Sequence, residues 1–125
     1  AIASDHAPHD EESKRLPFAQ AAFGGVGLET LLPVTLGLFH GGHMGLLAAL
    51  ALITNAPADL LGLKAGRLEK GAAADLTLID LDRGRKIDAD KMHSISKNSP
   101  FDGHLVQGLV LKTFVDGRTV FEHDA

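Results

Sequence analysis

Apolar residues change their pattern along the chain near Lys64. Before that point they come in long, nearly unbroken runs, and after it they alternate with polar residues in short stretches. Leu31, Leu32, Val34, Leu36 and Leu38 are too apolar for an exposed helix, so they predict a packed one running from an N-cap at Thr30 to about Phe39. Pro33 then falls in its first turn, where a missing N–H costs little. Residues 45–54, rich in Leu and Ala, predict a second helix. Asn55 predicts the N-cap of a third, with Pro57 in the first turn and Gly62 as the stop. Beyond Lys64, residues 74–80 predict a strand by their alternating, β-branched content. Gly84 predicts a turn toward Arg85-Lys86-Ile87, residues 90–93 favour neither helix nor strand, and residues 96–103 form a polar loop. Residues 109–115 and 118–122 flank Asp116-Gly117, the dipeptide that most favours a two-residue hairpin turn.

The chain opens on a short apolar lead, Ala1-Ile2-Ala3, that runs into Asp5, His6 and His9. This pattern predicts a buried strand delivering a carboxylate and two imidazoles into a loop, as α/β barrels do at the carboxyl ends of their strands. Pro8 cannot sit in a central strand, so the strand ends near Ser4 or Asp5. The acidic run Asp10-Glu11-Glu12 is expected to be a solvated loop. Further on, Gly24, Gly25 and Gly27 allow a sharp backbone turn close to a ligand. His40-Gly41-Gly42-His43 has two histidines at helical spacing, but its glycines predict a loop and no neighbouring carboxylate completes a coordination shell. A structural or surface role is expected there.

Composition narrows the function classes. The chain has 125 residues, 45% hydrophobic and 22% charged, with a net charge of -4, which points to neither nucleic acid nor an anionic membrane as partner. With no cysteine there are no disulfides and no thiolate metal ligands, which fits a reducing compartment. The most apolar stretch, residues 28–53, is broken by Pro33, Gly37, His40, Gly41, Gly42 and His43, so it reads as neither a membrane span nor a signal peptide. A cytoplasmic enzyme is the expectation. A complete (β/α)₈ barrel needs about 250 residues. The chain is therefore expected to be the C-terminal part of a longer polypeptide, α/β in class. Residues 1–63 would supply the last barrel strand, the active-site loop and barrel-packing helices, and residues 64–125 part of a small β-domain.

Ala3-Ser4-Asp5-His6-Ala7-Pro8-His9, followed after four residues by Lys14, resembles a signature of the dihydroorotases, metal-dependent cyclic amidases of the amidohydrolase superfamily. Phe23-Gly24, with Gly27-Leu28-Glu29-Thr30, resembles a second segment of that family. The run from Lys97 to Gly103 (Lys-Asn-Ser-Pro-Phe-Asp-Gly) resembles a third, taken as architectural, and Asn55-Ala56-Pro57-Ala58 resembles a fourth apart from the inserted Ala56. The resemblance implies hydrolysis of the cyclic amide of dihydroorotate to N-carbamoyl-aspartate, and the reverse, in pyrimidine synthesis. One or two Zn²⁺ ions would lower the pKa of a bound water and polarise the carbonyl. Asp5 would be both a metal ligand and the proton shuttle.

His9 would bind the substrate carboxylate, and backbone groups of Phe23 and Gly24 would meet the ring. Lys14 would pin its loop by an ion pair, and His6 would orient Asp5. Most metal ligands would lie outside the chain, so the piece alone is expected to be inactive. Its expected partners are the remainder of its own polypeptide and other copies in a homo-oligomer. Two alternatives accompany this reading. One is a related hydantoinase or allantoinase; the other is a non-catalytic homologue scaffolding aspartate transcarbamoylase.

Overall fold

In the computed structural model, which describes residues 1–124, a helical first half is followed by a three-stranded antiparallel sheet. The helices are α1 (Glu11–Lys14), α2 (Leu31–His40), α3 (Leu46–Ala51) and α4 (Asn55–Leu61); the strands are β1 (Leu76–Lys86), β2 (Leu105–Val115) and β3 (Arg118–Glu122), in the order β1-β2-β3. A short 3₁₀ turn, Ala89–Lys91, lies between β1 and β2. Among the described residues no helix is long and apolar enough to cross a membrane.

The helix expected after Thr30 begins there, and its first-turn Pro33 is buried. Pro33, Thr35 and Leu36 are buried, and α2 packs on β2 and α3. Leu36 is fully buried directly over Gly108, where an added Cβ would overlap Leu36 Cδ1. Gly108 also holds a φ of 107°, a conformation glycine adopts without the strain a side chain would bring.

α4 starts one residue earlier than its sequence suggests. Asn55 is its first helical residue and Thr54 takes the cap position, while Gly62 closes it in the left-handed conformation, φ 67°, as expected. The hairpin closes at Asp116-Gly117 as the dipeptide predicts, with Val115 opposite Arg118.

Two elements differ from their sequence expectation, and a third finds no pairing partner among the described residues. The acidic run after His9 is the helix α1, not a loop: Asp10 caps it by accepting the Ser13 N–H at 2.7 Å, and Glu11 and Glu12 lie at the positive end of its dipole. Gly84 does not turn the chain. It pairs with Gln107 inside β1, and the irregularity sits just before it, where Asp80 Oδ1 accepts the N–H groups of Asp82 and Arg83, each at 3.1 Å. The apolar lead expected to be a barrel strand forms no ladder among the described residues. Ile2 donates to the Leu52 carbonyl at 2.8 Å, and a single parallel bridge joins His6 to Gly25. A strand is defined by paired neighbours; the described residues supply none to residues 1–5, whose expected neighbours are other strands of a barrel.

Helical half and sheet are joined ahead of α2. The Glu29 carboxylate accepts the Ser94 N–H at 3.1 Å and meets His93 Nδ1 at 3.1 Å. Burial pushes the Glu29 pKa up, but the hydrogen bonds and charge of His93 and the Ser94 amide outweigh it, and the carboxyl lies below its ordinary range.

Candidate active site

Asp5 stands where the lead ends, exposed, with a φ of 43°. Left-handed backbone is uncommon outside glycine and is best tolerated by Asp and Asn. Non-glycine residues held there cluster at functional sites. The next residue is anchored the other way: His6 Nδ1 accepts the Gly27 N–H at 3.1 Å, which fixes that nitrogen as unprotonated. His6 was expected to orient Asp5, but its ring bond goes to the glycine loop instead.

That loop is seated against the motif with little clearance. A Cβ on Gly24 would lie 2.7 Å from Ala7 Cβ, one on Gly25 2.7 Å from Pro100 Cδ, and one on Gly27 2.5 Å from the Ser4 carbonyl oxygen. Each glycine thus admits a different neighbour, from the motif on one side or the 97–103 run on the other. Gly24 also has a φ of 104°.

Hydrogen bonds fix the loop in the same place. His9 Nε2 lies 2.8 Å from the Phe23 carbonyl, which can only accept, so Nε2 carries the proton. Lys14 was expected to pin its loop by an ion pair. Its Nζ donates instead to the carbonyls of Ala22 at 2.7 Å and Gly24 at 2.9 Å. Ala7 donates to the Gly25 carbonyl at 2.9 Å.

Asn98 completes the arrangement. Its Nδ2 donates to Ala7 at 3.1 Å and Gly24 at 3.4 Å, its Oδ1 accepts the His9 N–H at 3.4 Å, and its own carbonyl accepts from Val26 N at 3.2 Å. The sequence placed this asparagine in a run taken as architectural; its side chain ties together the two segments that carry the candidate chemistry. The signal was present in the match of Lys97 to Gly103, but nothing in the sequence said which segments that run would touch.

His9, Phe23 and Gly24 are therefore brought together, with Asp5 on the same connected stretch. The Phe23 ring itself is 92% exposed, so whatever this position contributes to a site comes from its backbone. Because every carbonyl from Ala22 to Gly25 is engaged, the groups left to face a ligand at Phe23 and Gly24 are amide N–H donors. A cavity of about 410 Å³ opens beside them, lined by His9, Lys14, Ile95, Lys97 and Asn98 among others.

A larger opening lined by Glu29, Arg85, Asp88 and Lys91 is formed from other residues and includes none of the motif. Among the described residues no three His, Asp or Glu side chains gather as a metal cluster. Asp5 offers one carboxylate, which suits a single ligand position; a complete metal shell needs further donors, and the described residues gather no such group. His40 and His43 take no part in the site. His40 closes α2 beside the Phe39 ring.

The family model described as "Amidohydrolase family" matches residues 1–120. The dihydroorotase of Wolbachia sp. subsp. Drosophila simulans is 54% identical over 120 residues, 96% of this chain and 27% of that protein. The dihydroorotase of Ehrlichia chaffeensis is 50% identical over 121 residues, 97% of this chain and 27% of that protein. Among solved structures, the L-hydantoinase (dihydropyrimidinase) from Arthrobacter aurescens matches with a TM-score of 0.78 and 38% identity, covering 83% of this chain and 24% of that one. The dihydropyrimidinase from Brevibacillus agri matches with a TM-score of 0.87 and 25% identity, covering 94% of this chain and 27% of that one. The chain thus spans about a quarter of the length of the relatives it matches.

Proposed function

This chain belongs to the amidohydrolase family, and on that premise we propose that it forms part of a dihydroorotase, a hydrolase that opens the cyclic amide of dihydroorotate to N-carbamoyl-aspartate and closes it again in pyrimidine synthesis. The observation that carries the reading is the bond between His9 Nε2 and the Phe23 carbonyl, 2.8 Å. It joins two segments that match the family separately in sequence and makes them neighbours in space. The similarity to dihydroorotases at about half identity, over nearly all of the chain, supports the choice of substrate.

Metal dependence is general in that family. Zinc, one ion or two, is the metal we propose, with Asp5 as the ligand this chain supplies. When bound, such an ion lowers the pKa of water and polarises a carbonyl.

The chain's own residues then act as follows. Asp5 takes the proton released as water oxygen bonds to the ring carbonyl carbon, and delivers it to the amide nitrogen as the carbon–nitrogen bond breaks. His9 holds the substrate carboxylate. With Nε2–H given to Phe23, Nδ1 is the ring nitrogen left to face the substrate. The amide N–H groups of Phe23 and Gly24 face polar edges of the ring. The exposed apolar surface of the chain is covered by further polypeptide of the same protein and by other copies in a homo-oligomer.

The solved hydantoinase neighbours favour a second reading, a hydantoinase-like cyclic amidase acting on a ring without a carboxylate. The test is ring opening by the intact zinc-loaded enzyme, with dihydroorotate, hydantoin and allantoin compared by kcat/KM. Preference for dihydroorotate supports the proposal; preference for hydantoin or allantoin replaces it with the second reading.

A further inference from the structure

We propose that Lys14 and Asn98 are positioning residues for the reaction, a two-point clamp that withdraws the carbonyls of the glycine loop and so leaves its amide N–H groups turned toward the substrate. Both converge on one atom: the Gly24 carbonyl accepts from Lys14 Nζ at 2.9 Å and from Asn98 Nδ2 at 3.4 Å. Each also holds a second carbonyl on either side of the site, Ala22 for Lys14 and Ala7 for Asn98.

A peptide unit with its carbonyl fixed has its N–H direction fixed as well, because the group is planar. By holding the carbonyls of Ala22 and Gly24, Lys14 aims the amides of Phe23 and Gly25, with Asn98 sharing the second, while His9 holds the Phe23 carbonyl and so aims the amide of Gly24. Lys14 takes part in none of the ion pairs among the described residues, so its charge is spent on the two carbonyl dipoles. Asn98 adds a link that Lys14 lacks. By accepting the His9 N–H it sets the backbone from which the imidazole reaches Phe23. Loss of either residue frees the loop to expose carbonyls to an anionic ring, which repels where the amides attract.

This inference rests on the dihydroorotase reading for its substrate but not for its geometry, and the test separates the two. In the intact enzyme, Lys14→Met and Asn98→Ala are compared with Lys14→Arg and with Lys112→Met, which removes a distant ion pair with Glu122. Each clamp variant is expected to lower kcat/KM for dihydroorotate by about 10- to 100-fold, chiefly through KM, since a small misplacement of binding groups has effects of that size. Lys14→Arg, which keeps the charge and the donors, recovers part of the loss, and Lys112→Met changes nothing.

The double variant falls short of the product of the two single losses, because both act on the Gly24 carbonyl. Hydrogen exchange at the amides of Ala7, Ala22 and Val26, which are bonded where the loop is seated, rises in both clamp variants at unchanged melting temperature. Unchanged exchange, or a loss of activity that only follows a fall in melting temperature, overturns the clamp. Faster exchange in an enzyme that does not open dihydroorotate keeps the clamp and overturns the substrate reading.

Discussion

At the scale of single residues, the proposed chemistry depends on Asp5, whose φ of 43° tells which substitutions will be informative. Asn tolerates the left-handed region nearly as well as Asp. Asp5→Asn in the intact enzyme therefore leaves the backbone in place while removing the carboxylate proposed as proton acceptor and metal ligand, and kcat should fall by about 10²–10⁴-fold without unfolding of the enzyme. Steady-state kinetics and a thermal melt on the same preparation check this. Glu29 gives a second prediction, in pH. Its carboxyl is held below its ordinary value of 4.5 by His93 and Ser94 despite burial. A depressed carboxyl stabilises the fold when ionised, so the contribution is full above that ordinary value and fades as the pH falls through the lower folded-state one. Urea midpoints measured from pH 6 downward should drop more steeply for the wild type than for Glu29→Gln. The segments of the candidate site were legible from sequence through the family resemblance at Asp5, His9 and the glycines, and the structure sets the His9 and glycine segments side by side. The site was not legible in its supports. A lysine bonding to carbonyls and an asparagine 89 residues from the histidine it serves leave no mark in local pattern.

Among elements, the contact between α2 and β2 joins the helical half to the sheet, and it turns on one close approach. Leu36 is fully buried and occupies the space a side chain at residue 108 would need. Leu36→Ala should cost about 2–5 kcal/mol by leaving a cavity the backbone cannot close. Gly108→Ala should be destabilising as well, from overlap with Leu36 and from strain at φ 107° together. The pair Leu36→Ala with Gly108→Ala relieves the overlap, so the double variant should lose less than the sum of the single losses. Urea denaturation of the intact protein reads all three. Elements set by local rules were predictable: α2 from Thr30 and Pro33, the stop at Gly62, the hairpin at Asp116-Gly117. Features decided by partners were not legible in the same way. Gly84 looks like a turn until Asp80 supplies a local kink that lets the glycine stay paired. The lead at residues 1–5 has strand composition but no strand beside it. The α1 helix was a missed local signal, Asp10 as cap with two glutamates behind it and Lys14 at the far end.

Over the whole molecule, surface area decides what the chain can do by itself. Its accessible surface is 8837 Å². A closed monomer of 13.2 kDa would show only about 6,400 Å². The excess, about 2,400 Å², is the size of an obligate interface rather than of a transient contact. Its character agrees with its size. Phe18, Leu47, Leu68, Ile95 and Leu105 are all more than four-fifths exposed, while the buried hydrophobic core is Val26, Leu36, Ile87 and three alanines. Patches of this kind seldom stay in water. The 125-residue chain prepared alone should therefore associate, and light scattering at increasing concentration should give a rising mass. Supplied with zinc, it should retain no stoichiometric metal after desalting, because Asp5 alone makes a weak ligand set. A monodisperse monomer that kept its zinc would contradict both expectations at once. Such a result would mean that the apolar faces close on one another by a rearrangement that also brings His6, His9 or His43 to Asp5, and the site geometry described above would then belong to a different state of the chain.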